Sequence, residues 1–506
     1  MSLALPLLLV RRLAQSEFGS YKQAFLVIGS AISILPLGFG LSTYYFLPRE
    51  DNPSIRNQVI FNVIFFNLAV GILAFLFLLV RPDLFSYLFH DTRLAGSEVL
   101  IGAVILFWVF SSFLETIAVA NQEAKLASIF ILGTQLSKAI FLLMAAVFVG
   151  TVYSLIFAAL IHSILQTVIL ITYLSLRFRG FWFSFSWPML RKQMSYAIPY
   201  GATALLFAIQ SDLHNYFVAN RFNSTTFAIY SIGCLQLPFV GILTESFASG
   251  MIPRISVLQK EGNGREIVHL MARVMRQLAA VLFPVYAFLM VCGREFIRWL
   301  FTDAYDKSWP IFAVNLTLIP FWVIMLDPIV RAYAEQRYFL VRLRLVLLGV
   351  LTAGLWFAVQ KFGPLGVIVV VVSVTLLEHL IVTYRSAKLI GVRKSDVTLL
   401  HDVGKLAVAT FMAAMVAVVT RAFLSGFKPF YVLLVTGIVF VLSYAGTVLL
   451  LKVPTSTELQ LLRKKVSAFE RLLFWKRDTR GFSGIPATVA ASDGSHQTSP
   501  PEFKSP

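Results

Sequence analysis

A few ionisable side chains stand inside long apolar runs, where charge is costly and its position is informative. Lys138 shares a helical face with Thr134 and Gln135, and a cation so placed can hold an anionic group. Glu115 shares a face with Ser111 and Ser112 on the preceding run and could instead pair with that lysine. Arg331 is a second cation, although Asp327 lies four residues earlier and can pair with it along a helix. Asp212 is followed by Asn215 and Tyr216 at i+3 and i+4, which makes a polar stripe able to contact a substrate. A carboxylate there can also take up a coupling proton or cation. The plainer alternative is an interhelical hydrogen bond that fixes packing. Glu245, and Glu378 beside His379, are further coupling-ion candidates. An ionised group near a bilayer midplane costs at least ~2.5 kcal/mol, so these residues should face protein or water.

The stretch from 186 to 254 must position most of them. It holds two apolar runs, about 198–219 and 226–250, joined by a polar turn at 220–225. Each run is long enough to cross a bilayer, which takes roughly 20 residues. Pro199, Pro238, Gly201 and Gly241 interrupt them where a transporter helix would bend.

Composition points the same way. The chain is 58% hydrophobic and 13% charged, which excludes a soluble domain. A net charge of +18 suits an anionic substrate or an anionic leaflet. Nucleic acid is a poor partner, because the basic residues sit between apolar runs. Cys234 and Cys292 each lie inside an apolar run, so no disulfide framework is expected. The seven histidines show no ligand spacing, and neither a metal nor a cofactor is expected. Residues 3–10 are apolar but precede Arg11 and Arg12, so no cleavable signal is read and the first helix is expected to be truncated.

Apolar runs number about fourteen: a stub at 1–13, then thirteen more from 21–47 to 430–451. The chain also repeats itself. RFNSTTFAIY at 221–230 aligns without gaps on RLAQSEFGSY at 12–21, and FWV at 107–109 recurs at 321–323. Thr172-Tyr173 meets Thr383-Tyr384. The offsets are 209, 214 and 211, close enough to indicate a duplicated half. Two six-helix halves would lie parallel in the membrane. The expected organisation is a bundle at 1–180, a second at 181–400 and an extra helix pair at 401–453. A basic amphipathic helix at 454–477 and a disordered tail at 478–506 would follow. Lys and Arg concentrate in the loops after even-numbered runs and in the tail, which puts those loops and the C-terminus in the cytoplasm.

RRLAQSEFGSYKQAF, followed by a run ending LGFGLSTYYF, resembles the oligosaccharide flippases that handle O-antigen and exopolysaccharide repeat units. These belong to the multidrug/oligosaccharidyl-lipid/polysaccharide exporter superfamily. The mid-chain YAIPYGATALLFAIQSDLHNYFVANRFNSTTFAIYSIG and GREFIRWLFTDAYDKSWPIFAVNLTLI are similar to its seventh-span signature and its ninth-to-tenth-span junction. The resemblance implies an all-α, V-shaped integral membrane protein of about fourteen spans with a central cavity. Its substrate would be a polyprenyl-pyrophosphate-linked oligosaccharide, and the protein a monomer of the bacterial inner membrane working beside polysaccharide polymerase or export machinery. Lys138 is then the first-half candidate for the pyrophosphate and Arg331 the second-half one. An ion-coupled drug or cation antiporter of the same superfamily is the alternative, with Asp212 or Glu245 as its acid. A membrane enzyme is disfavoured, because the largest external loop, about 81–96, offers only Arg81, Asp83, His90, Asp91 and Arg93 as acidic, basic or histidine side chains. A lipid II flippase, the nearer relative, carries more cavity arginines than the sequence displays.

Overall fold

The computed structural model describes residues 4–333 and 336–454, and the regular structure among them is helical throughout. The side chains of Asp327 and Arg331, and the amphipathic helix and tail expected beyond 454, lie outside the described residues. Residues up to Leu451 form one compact unit.

In chain order the first helices are α1 (Ala4–Val10), α2 (Gln15–Ile34), α3 (Ser42–Phe46), α4 (Pro53–Val80), α5 (Leu84–Phe89), α6 (Glu98–Ser111), α7 (Leu114–Ala120), α8 (Ala124–Phe148) and α9 (Val152–Arg177). The long α10 (Trp187–Arg221) follows. Then come α11 (Ser224–Gly233), α12 (Pro238–Lys260), α13 (Gly264–Phe301), α14 (Trp309–Leu316), α15 (Asp327–Ala332), α16 (Arg337–Lys361) and α17 (Gly363–Ile390). α18 (His401–Phe423) and α19 (Pro429–Leu450) close the unit. Side chains placed for the purpose start several of these. Asn52, Thr151, Asn223 and Asn263 each accept a hydrogen bond from a first-turn backbone N–H. A cap of this kind contributes about 1 kcal/mol.

The duplication read in the sequence is visible in the helices. α11 starts 209 residues after α2, α13 starts 211 after α4, α16 starts 213 after α8, and α17 starts 211 after α9. α18 and α19 have no counterpart in the first half and pack on α13. There Arg421 Nε and Nη2 donate to Glu295 Oε1 at 3.0 and 2.8 Å.

Each repeat breaks its second span, the first after the 20 residues of α2 and the second after the 10 of α11. α2 resumes as a 3-10 turn at Phe39–Leu41 and then α3, bent by 41°; α11 resumes as α12, bent by 47°. Pro36 lies in the first break and Pro238 opens the helix after the second, and a proline has no N–H to continue a helical ladder. Leu37 and Gly38 turn the chain with φ of 47° and 67°. The break of α2 then rests on α10, where a Cβ on Gly201 would overlap the carbonyl of Leu37.

Nine helices among the described residues are long and apolar enough to cross a membrane, or eleven if each bent pair is one span. The remaining three of the fourteen expected runs fall short for visible reasons. α1 has seven residues. α10 is long enough at 35 residues, but Gln210, Asp212, His214 and Asn215 lower its hydropathy. The run at 309–330 is divided between α14, a 3-10 turn at Pro320–Val323 and α15. The outward faces are apolar, as at Leu132, Phe148, Trp356 and Leu442, all more than 60% exposed, a surface that hydrocarbon would solvate.

Candidate functional site

α10 carries the polar centre of the molecule. Its first half packs on α3 and α4, where Gln193 Nε2 donates to Ser42 Oγ and to the Val59 carbonyl, both at 3.1 Å. Its second half meets α2, α11, α16 and α17. Residues two apart on a helix lie about 200° apart around its axis, so Gln210 and Asp212 point to opposite sides.

Asp212 faces the first repeat. Ser30 Oγ of α2 donates to its Oδ2 at 3.1 Å. One turn on, the Tyr216 hydroxyl reaches the Leu26 carbonyl at 3.5 Å. The stripe read in the sequence is therefore a contact between α10 and α2, and Asn215, its third member, has no side-chain partner among the described residues. His214, on the buried side, meets the Tyr230 hydroxyl of α11 at 2.8 Å.

Gln210 faces the second repeat. Its Nε2 donates to Glu378 Oε2 of α17 at 2.7 Å, while Arg344 Nε of α16 donates to Glu378 Oε1 at 3.3 Å. The Arg344 guanidinium also lies 5.2 Å from the ring centroid of Phe207. Phe207, Arg344 and Glu378 border a cavity of about 230 Å³, walled further by Phe321 and Trp322 at the break between α14 and α15. Gln210 Oε1 is buried and accepts no hydrogen bond among the described residues.

Lys138 of α8 sits within the first repeat, its Nζ 4.3 Å from the centroid of the Trp108 ring. His162 stands edge-on to the same ring at 5.5 Å and pairs with Ser137 at 3.2 Å. Glu115, the alternative partner for Lys138, accepts from Thr134 Oγ1 at 3.3 Å instead. No carboxylate among the described residues forms an ion pair with Lys138. Glu245 of α12 is exposed and meets neither Asp212 nor Glu378 through any described contact. The three coupling-ion candidates thus sit apart, and no cluster of three His, Cys, Asp or Glu among the described residues could hold a metal.

Sequence reasoning missed Arg344. It lies in an apolar run with Arg342 two residues before it, and near a run's end such a pair reads as a membrane-side anchor. The duplication did not point to it: α8 and α16 are equivalent helices and each sets one cation against an aromatic ring, but the repeat offsets of 209 to 214 do not carry Lys138 onto Arg344.

At the end of the bundle that holds Glu17 and Ser224, the repeats are tied together. Arg93 Nε lies 3.5 Å from Glu17 Oε1, and Arg93 Nη1 donates to Ser224 Oγ at 3.3 Å. Ser20 Oγ donates to Asp91. Arg11 and Gln15 donate to the carbonyls of Trp299 and Ala304, both at 3.0 Å. Nearby, Asp306 takes hydrogen bonds from Arg294 and Arg298, which hold its carboxyl well below the usual carboxylate range.

Comparison with known proteins places this architecture. The fold is that of a lipid II flippase, MurJ, in an inward closed conformation, at a TM-score of 0.63 and 15% identity over 88% of this chain and 96% of that one. A multidrug resistance MATE family transporter of the MOP superfamily, inward-facing, gives a TM-score of 0.58 at 13% identity over 76% of this chain and 93% of its own. An outward-facing structure of such a transporter gives 0.51 at 13% identity over 76% and 90%. No curated protein matches. The sequence family described as "Polysaccharide biosynthesis protein" matches residues 8–310, more than half of the chain. This multi-pass, all-helical membrane protein therefore belongs to the polysaccharide biosynthesis protein family.

Proposed function

We propose that the chain flips a polyprenyl-pyrophosphate-linked oligosaccharide repeat unit across the bacterial cytoplasmic membrane, by alternating access, for surface polysaccharide biosynthesis. No covalent bond changes, and the protein acts as a transporter and not an enzyme. The task is to carry a sugar and a pyrophosphate through a medium that solvates neither, so a cavity must replace water with hydrogen bonds and positive charge. The observation that carries this reading is the polar midpoint of α10, with Asp212 turned to the first repeat and Gln210, Glu378 and Arg344 gathered on the second. The family match favours a glycolipid over the small cation of an antiporter.

In this reading Lys138 and Arg331 attract the pyrophosphate, and Asp212, Asn215 and Tyr216 contact the substrate. Asp212, Glu245 and Glu378 are the carboxylates able to couple a proton or cation. The charge bias of the loops orients the C-terminus to the cytoplasm, where the basic segment after the last span meets anionic lipid, and polymerase or export machinery is the natural neighbour. The test uses proteoliposomes holding lipid-linked oligosaccharides extracted from the source cells, with a lectin reporting glycan on the outer leaflet. Native protein is expected to equilibrate the glycan between leaflets, and Asp212→Asn to slow it. Equilibration no faster than in protein-free vesicles, together with uptake of a lipophilic cation such as tetraphenylphosphonium, would establish the antiporter instead.

A further inference from the structure

We propose that the cavity beside Arg344 and Glu378 is a saccharide-ring subsite and not a pyrophosphate site, an inference that rests on the flippase reading above. Three observations carry it. The first is size. A volume of about 230 Å³ is below the roughly 300–1,000 Å³ that holds a drug-sized ligand, so it admits about one ring of an oligosaccharide.

The second is charge. Arg344 is already engaged by Glu378 at 3.3 Å, so the pair is close to neutral. A pyrophosphate entering here would meet the Glu378 carboxylate, and like charges in a partly dry site repel strongly. A neutral sugar brings no such penalty. Lys138, which forms no ion pair with a carboxylate among the described residues, is the better anion holder, and it lies in the other repeat.

The third is the shape of the chemistry. Trp322, Phe321 and Phe207 offer aromatic faces in the wall. A pyranose presents a face of C–H groups that packs on such rings, while its hydroxyls need partners around the rim. Those partners are here. Glu378 spends one hydrogen bond on Gln210 and one on Arg344, and a carboxylate can accept about four. Among the described residues Arg344 meets Glu378 through Nε, and its terminal nitrogens carry no described hydrogen bond.

The test measures affinity of the full-length protein in nanodiscs for geranyl pyrophosphate and for geranyl-pyrophosphoryl glucose, galactose and N-acetylglucosamine. For native protein at least one sugar is expected to tighten binding over the bare pyrophosphate. In Trp322→Ala and Glu378→Gln that sugar-dependent gain falls about tenfold, the size of lost ring packing for the tryptophan and of a lost hydrogen bond to a charged group for the glutamate. Trp322→Phe, which keeps a ring, retains most of it. A gain that survives in both the Ala and Gln variants, or a loss that falls equally on bare geranyl pyrophosphate, overturns the subsite while leaving the flippase reading intact. Binding of neither probe class by native protein overturns both.

Discussion

Glu378 shows how much one carboxylate can organise: it joins α10, α16 and α17 through Gln210 and Arg344. Removing its charge in Glu378→Gln strands a partly buried guanidinium. The side chains are about a fifth exposed, so the loss should fall at or below the ~3 kcal/mol lower bound for breaking a buried pair. Thermal unfolding in detergent would measure it, and an Arg344→Gln, Glu378→Gln double variant should recover part of the loss. Lys138 makes a different prediction. Its described partner is an aromatic ring, a contact worth about 0.5–2 kcal/mol, so Lys138→Ala should impair glycolipid export while the protein still reaches the membrane. Lys138→Arg keeps both charge and stacking and should export well; full export by both would remove the charge role. Asp306 supplies a pH signature. Its folded pKa lies below the ordinary 3.8, because Arg294 and then Arg298 hydrogen-bond the carboxylate. Its contribution to stability is therefore complete above that value and disappears as pH falls through the folded pKa. Unfolding temperature should be indifferent to Asp306→Asn only at strongly acid pH, with a deficit in the variant at neutral pH. Lys138, Asp212 and Glu378 were legible in the sequence because charge in an apolar run is rare. Their partners were not, since Ser30, Trp108 and Arg344 reach them across helices, and residue spacing along one helix says nothing about its neighbour.

At the scale of elements, the broken second spans are the distinctive feature, and their cause can be read directly at Pro36 and Pro238. The repeat offsets of 209 to 214 were equally legible, and the helix starts reproduce them. The division of the 309–330 run was harder to read: it holds Asn315, Pro320 and Asp327, but its mostly apolar residues read as one span. α2 and α11, equivalent in the two repeats, cross in backbone contact. A Cβ on Gly19 would overlap the Ser224 carbonyl, so only glycine allows that approach. Gly19→Val should cost more than the about 1–3 kcal/mol of ordinary overpacking, because the obstacle is backbone and cannot swing aside. Loss of thermal stability together with loss of export is expected; a Val variant with native stability and transport would show that the crossing opens freely.

The whole molecule joins its repeats at one end. Arg11, Gln15, Arg93 and Phe18 of the first repeat meet Trp299, Ala304, Ser224 and Tyr305 of the second. Among the described residues, no side-chain hydrogen bond or ring contact links helices before α10 to helices after it at the opposite end. In the proposed orientation the tied end is the outer one, and transport requires it to part. Gln15→Cys with Ala304→Cys, bridged by a reducible bifunctional thiosulfonate, should therefore stop export, and reduction should restore it. Undiminished export with the bridge in place would show that this end stays closed during transport. The central claim is that an intact, lipid-linked glycan passes between leaflets through this protein. Thin-layer analysis of lipid-linked sugars after deletion of the coding sequence tests it most directly. The account predicts that complete repeat units accumulate on the polyprenyl carrier at the cytoplasmic leaflet while surface polysaccharide is lost. Normal surface polysaccharide with no accumulated intermediate would contradict it.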